Sequence, residues 1–307
     1  MSSLEVLDNV KLNFSPNSLV VMNIILAFVM FGIALRINVA DFRDVIKRPK
    51  SFIVGVVSQL FLLPCVTFLL CLVLRPVLSL SVALGMILVA ACPGGNISNF
   101  ITSLARGNIS LSVSLSAFST LVCVVMTPFN FSFWGKLYSN ASNLVMPIEI
   151  NFWDMAQTVF ILLGVPIVLG ILFARYFPEA TRKIIKPMGI LSIIVFIGFI
   201  VAALAANFSY FMKYIHLIGI IVIAHNALAL LTGYFAGRIV RLSWRDLRSI
   251  TIETGIQNSG LGLVLIFNPV LFDGLGGMAF VAAWWGIWHI VSGMGLAFFW
   301  QKKIPKG

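Results

Sequence analysis

Residues 251–262 read TIETGIQNSGLG, and Glu253 among them is the one acidic residue of ten that falls inside a long apolar run. A charge at that depth in a membrane costs about 2.5 to 3.5 kcal/mol, and Lys and Arg lie only at the ends of such runs or outside them, with none placed to pair with it. Two chemistries fit an isolated buried carboxylate: it holds a cation, or it carries a proton. The blander reading is a glutamate that faces a water-filled crevice or stays protonated. Gln257, Asn258 and Ser259 follow within two helical turns, and their oxygens are of the type hard cations prefer. Gly255, Gly260 and Gly262 permit the backbone to unwind there. Carbonyl and N–H groups freed by unwinding need partners, which an ion or substrate can supply.

A second segment has the same character. Residues 91–99 read ACPGGNISN; Pro93 removes a backbone donor, and Gly94 and Gly95 permit non-helical dihedrals. Asn96, Ser98 and Asn99 offer side-chain oxygens. Further on, LSVSLSAFST at 111–120 carries Ser112 and Ser116, which share one helix face at spacing i, i+4. Serine also packs well between membrane helices, so the face matters only if it is aimed at Glu253. VGVVSQ at 54–59 and IGIIVIAHN at 218–226 are similar apolar stretches ending in polar groups, Gln59 in one and His225 with Asn226 in the other.

These residues need elements to hold them. The chain has 307 residues, 60% apolar and only 10% charged, against about 25% charged in soluble proteins. Its apolar runs are near the roughly 20 residues that cross a bilayer as helix and are continuous, which excludes the alternating strands of a membrane barrel. The fold class predicted is an all-α polytopic membrane protein. Nine transmembrane helices are expected near 18–37, 51–74, 79–103, 109–135, 153–175, 188–206, 216–238, 250–267 and 278–300. The third and eighth of these contain the two interrupted segments and run antiparallel in opposite halves, the signature of inverted repeats with a site at the midplane.

An odd number of spans puts the termini on opposite sides. One side collects 17 Lys and Arg residues, among them Arg43, Arg106, Arg182, Arg241 and Lys302, against Lys11, Arg75, Lys136 and Lys213 on the other. Positively charged loops lie inside, so the C-terminus is predicted cytoplasmic and the N-terminus outside, in a cell (plasma or inner) membrane. The same bias accounts for the net charge of +11 without nucleic acid as a partner. The lipid bilayer is the expected surrounding. Residues 1–17 hold no apolar core of signal-peptide length. The four cysteines, Cys65, Cys71, Cys92 and Cys123, show no metal-ligand spacing and read as packing residues. GYFAG at 233–237 packs helices within a chain as readily as between chains, so no oligomeric state follows from it.

ACPGGNISNFITSLARGN followed by LSVSLSAFST, and TIETGIQNSGL followed by IWHIVSG, resemble the bile acid:sodium symporter family of secondary transporters. The resemblance runs from about the first span to the ninth and matches the nine-helix members. It implies a core domain, 51–135 and 216–300, containing two crossed discontinuous helices, and a panel domain, 18–37 and 153–206, with a cytoplasmic tail at 301–307. It implies two Na+ ions as the coupled cargo. Sodium site 1 would use Ser98, Asn99, Ser112, Ser116 and Glu253, with Ser116 where some relatives have threonine. Sodium site 2 would use Gln59, Glu253 and Gln257 through side chains, with backbone carbonyls of Thr254 and Ile256. The substrate would be a small organic anion, bile-acid-like or another carboxylate, bound near Asn96, Asn258, Ser259 and His289. Some bile-acid-binding relatives have Asn after this His, where this chain has Ile290.

Two sodium ions and one ionised Glu253 leave about one positive charge near the midplane, and the N-terminal ends of interrupted helices add positive potential. A monoanionic carboxylate is complementary, held by N–H and amide groups since no Arg lies inside the spans. Other classes fit less well. A zinc protease needs an HExxH-type pattern, whereas His216, His225 and His289 lie far apart. A rhomboid-type serine protease needs glycine two residues before its serine, where Gln257 stands. Channel filters use subunit symmetry or rings of charge. A proton-coupled or sodium-independent organic anion carrier is the nearer competitor, with Glu253 carrying the proton.

Overall fold

The structure is a computed structural model, and it describes residues 4–9, 16–35, 49–95, 97–142, 151–206, 208–268, 271–272 and 275–302. The described residues are mostly helical. In chain order the helices are α1 (Pro16–Ala34), α2 (Pro49–Val73), α3 (Leu80–Ala91), α4 (Ser98–Leu104), α5 (Ile109–Ser142), α6 (Phe152–Tyr176), α7 (Pro178–Ala206), α8 (Phe208–Ile239), α9 (Trp244–Gly255), α10 (Ser259–Phe267) and α11 (Gly276–Lys302). Five of the described helical stretches are long and apolar enough to cross a membrane: Pro49–Val73, Ile109–Ser142, Phe152–Tyr176, Ile218–Ile239 and Gly276–Gln301. The molecule is therefore a polytopic helical membrane protein.

Helix limits depart from the apolar runs where polar residues continue a helix beyond the hydrocarbon. The fourth run was read to end at 135, but α5 continues to Ser142, with Tyr138 and Ser142 buried. Helix α7 begins at Pro178 rather than 188, because Glu179, Arg182, Lys183 and Lys186 extend it through a charged first part. Hydropathy reports the apolar thickness, and helices are free to outrun it.

Proline shapes α2. Pro64 has no N–H for the carbonyl four residues earlier, that of Leu60, and Ser58–Leu62 widens into a π-helical turn. The side chain of Asn130, from α5, donates to Leu60 O at 2.9 Å instead. The widened turn buries Ser58 and Gln59.

Helix α1 packs on α6 and α7, whereas α8 packs on α9, and α3 and α10 on α11. Gly233 and Gly237, the glycines of GYFAG, face α9: a Cβ on Gly233 would stand 2.7 Å from Ile250 O, and one on Gly237 2.7 Å from a Leu247 methyl. That pattern is used within the chain. The short helical turn Glu5–Asn9 also docks, with Leu7 buried and Asp8 accepting hydrogen bonds from the backbone N–H and hydroxyl of Ser81 at the start of α3.

Candidate functional site

The interruptions expected in 91–99 and 251–262 are both present, and they face one another. Helix α3 stops at Ala91, α4 starts at Ser98, α9 stops at Gly255 and α10 starts at Ser259. Gly94 and Gln257 form an isolated antiparallel bridge: the Gly95 N–H donates to Ile256 O at 2.8 Å, and the Asn258 N–H to Pro93 O at 2.8 Å. Each break thus supplies partners for groups that the other leaves unpaired, which the membrane interior demands.

Neighbouring helices close the rest. Thr127 donates its hydroxyl to Ala91 O at 2.8 Å, and Asn226 its amide to Gly255 O at 2.8 Å. Asn226 in turn accepts from Ser292 on α11 at 2.5 Å. The Gly94 N–H donates to Ser119 Oγ at 3.3 Å. The Asn258 side chain caps α10 by accepting from the Leu261 N–H at 3.1 Å.

Glu253 sits beside this bridge with 1% of its surface exposed, so water does not solvate its carboxyl group. Three hydroxyls do so instead. Ser98 donates to Oε1 at 2.6 Å, Ser112 hydrogen-bonds the same oxygen, and Ser116 donates to Oε2 at 2.9 Å. Asn99 Oδ1 lies 2.8 Å from Ser112 Oγ and 3.4 Å from Ser116 Oγ. All five residues expected at the first ion site therefore meet, and the Ser112–Ser116 face of α5 is aimed at Glu253.

The second expected set gathers at the backbone carbonyl of Glu253. The side-chain nitrogens of Gln59 and Gln257 each lie 3.4 Å from Glu253 O. Gln257 also donates to Thr254 O at 2.8 Å, while its Oε1 is buried and has no partner. The Ile256 carbonyl is engaged by Gly95. Thr254 adds a hydroxyl contact to Ser58 of α2 at 2.9 Å. Among the described residues no three His, Cys, Asp or Glu side chains cluster; the oxygens here come from hydroxyls, amides and carbonyls around one carboxylate.

Of the expected substrate residues, Asn96 lies outside the described residues. Asn258 and Ser259 stand at the start of α10, Ser259 Oγ buried without a partner. His289 is buried on α11, and its Nδ1 has no partner either. His225 pairs through Nε2 with Thr67 Oγ1 at 2.8 Å and packs its ring on Trp285 at 4.5 Å. Trp285 is wholly buried, so it packs. His216 is exposed.

Sequence reasoning missed Ser58, Thr127 and Asn130; the roles of Thr127 and Asn130 become readable only when the broken carbonyl that each serves is known.

A many-helix membrane protein in which two helix breaks meet beside a buried carboxylate has the build of a transporter. Residues 23–214 match the Sodium Bile acid symporter family, and the chain belongs to that family. It is 32% identical over 290 residues to an uncharacterised sodium-dependent transporter of Bacillus subtilis, YocS, a match covering 93% of this chain and 84% of that protein. It is 28% identical over 288 residues to a probable chloroplastic sodium/metabolite cotransporter of Arabidopsis thaliana, BASS1, covering 92% and 67%. It is 29% identical over 255 residues to the human ileal sodium/bile acid cotransporter, covering 81% and 70%. The family is one of transporters, which sets aside the intramembrane enzyme.

Proposed function

We propose that the protein is a sodium-coupled symporter of a small organic anion that works by alternating access. The observation that carries this reading is the oxygen cage around Glu253. Three hydroxyls already point at the carboxyl group, and each can rotate to offer a lone pair to a cation at no cost in backbone movement. Ser98, Asn99, Ser112, Ser116 and Glu253 would hold one sodium ion. Gln59, Glu253 and Gln257, with the Thr254 and Ile256 carbonyls, would hold a second, and the unpartnered Gln257 Oε1 favours an electropositive neighbour there. Relatives named for sodium dependence support the choice of ion.

The anion would meet Asn258, Ser259 and His289, joined by Asn96. Unpartnered polar atoms on Ser259 and His289 support a polar ligand, and the net positive charge of two ions beside one carboxylate supports an anionic one. The second through fourth and seventh through ninth of nine membrane spans would form a core domain (51–135 and 216–300) that moves against a panel domain (18–37 and 153–206). The association of α1 with α6 and α7 supports that division. The N-terminus would face outward from a cell membrane and the tail from 301 would be cytoplasmic.

The test is thermal stability of the purified protein across small organic anions, each in sodium and in matched potassium. The expected result is stabilisation by one anion class only with sodium, abolished in Glu253→Gln. Stabilisation of the wild type that is indifferent to sodium overturns the reading in favour of a proton-coupled or sodium-independent carrier.

A further inference from the structure

Seven residues before Glu253, on the same face of α9, lies a second buried carboxylate. Asp246 is 4% exposed and falls in the first turn of α9, where Ser243 caps the helix by accepting from the Asp246 N–H at 3.2 Å. The helix N-terminus favours its negative charge, and two other elements donate hydrogen bonds to it. Ser51, on the first turn of α2, donates its hydroxyl to Oδ2 at 2.8 Å. Asn108, just before α5, donates its amide to Oδ1 at 2.7 Å.

The spacing of these contacts repeats that of the site above. Ser51 and Ser58 stand seven residues apart on α2, and Asp246 and Thr254 eight apart on α9. Ser51 bonds Asp246 below, and Ser58 bonds Thr254 above. A polar seam therefore joins α2 to α9 at two levels.

Asn108 links Asp246 to the ion-binding face of α5. Its Oδ1 caps α5 by accepting from the Leu111 N–H at 3.2 Å, and its carbonyl accepts from the Ser112 N–H at 3.1 Å. Its own N–H lies 2.7 Å from Ser249 Oγ and 3.1 Å from Arg245 O on α9. Ser112 is the residue that hydrogen-bonds Glu253, and Ser116 follows one turn on. The approach is close: a Cβ on Gly107 would stand 2.9 Å from Ser249 Oγ.

We propose that Asp246 is a positioning residue for the Glu253 site. It fixes the start of α5, and the height of α2, relative to α9, so that Ser112 and Ser116 meet the Glu253 carboxylate at binding distance. It touches neither ion nor substrate. This rests on the reading of Glu253 as a sodium ligand.

Asp246→Asn keeps the size but removes the charge, so the hydrogen bonds from Ser51 and Asn108 lose their carboxylate acceptor and the strength that the charge gives them. The experiment measures half-saturating sodium, by sodium-dependent stabilisation and by uptake, together with the melting temperature in potassium. Half-saturating sodium is expected to rise about tenfold, as for other groups that orient ion ligands, with uptake at saturating sodium largely kept. The exchanged pair Asp246→Asn with Asn108→Asp restores one donor and one acceptor, and aspartate still caps α5; it is expected to recover sodium affinity. Should Asp246→Asn fail to fold, Ser51→Ala removes one bond only and is expected to raise half-saturating sodium about threefold. A melting temperature that falls in potassium while half-saturating sodium stays at the wild-type value, in either single variant, overturns the proposal. A wild type that is itself indifferent to sodium overturns the underlying reading as well, and is distinguished because it needs no variant.

Discussion

A methyl group at position 94 has nowhere to go. Built on the Gly94 backbone it would stand 2.7 Å from the side-chain nitrogen of Gln59 and 3.0 Å from Glu253 Oε2, closer than carbon approaches either atom comfortably. Both neighbours are the ends of side chains that can swing aside, so Gly94→Ala is expected to fold. What it loses is the shared position of the two ligands. Sodium-dependent uptake is expected to fall at least about tenfold, while the melting temperature in potassium changes little. Transport assays beside thermal scans check both halves of that expectation. The glycine is needed here for the space around its neighbours, because its backbone lies outside the left-handed region that favours glycine.

At the scale of elements, a broken helix is stable only if other helices mend it. Thr127 mends the end of α3 and Asn226 the end of α9. Thr127→Val leaves the Ala91 carbonyl buried without a donor, a loss of about 1 kcal/mol in a membrane protein. Thr232→Val is the matched control, because the Thr232 hydroxyl serves only the Leu228 carbonyl of its own helix at 2.8 Å. The melting temperature is expected to fall measurably further for Thr127→Val. The breaks themselves were legible in ACPGGNISN and TIETGIQNSGLG, since Pro and Gly act on local backbone and carry their meaning with them. Ser98, Asn99, Ser112 and Ser116 were expected around Glu253 once their segments resembled a family, and they do gather there. Thr127 and Asn130 were not legible, because their partners are 36 and 70 positions away and no local pattern marks such a pairing. Likewise the charged first part of α7 and the polar end of α5 escaped a reading that follows hydrocarbon thickness.

For the whole molecule, the proposed orientation rests on the imbalance of 17 to 4 in Lys and Arg. It is checked by a membrane-impermeant thiol reagent on intact cells. Lys213 and Arg182 are both exposed; Lys213→Cys is expected to react from outside and Arg182→Cys only after lysis, and the reverse pattern would invert the topology. The antiparallel bridge between the breaks also sets a schedule for biosynthesis. Ser98 and Glu253 are 155 positions apart, so the first break leaves the ribosome long before the segment that pairs with it has been translated. Until Ile256 and Asn258 arrive, Gly95 and Pro93 have no backbone partner for groups that lipid cannot satisfy. The nascent chain must therefore hold its third apolar run in the shelter of the translocon, or against water at the membrane surface, and complete its insertion late. A chain cut short before residue 258 would leave an open seam that quality control can recognise.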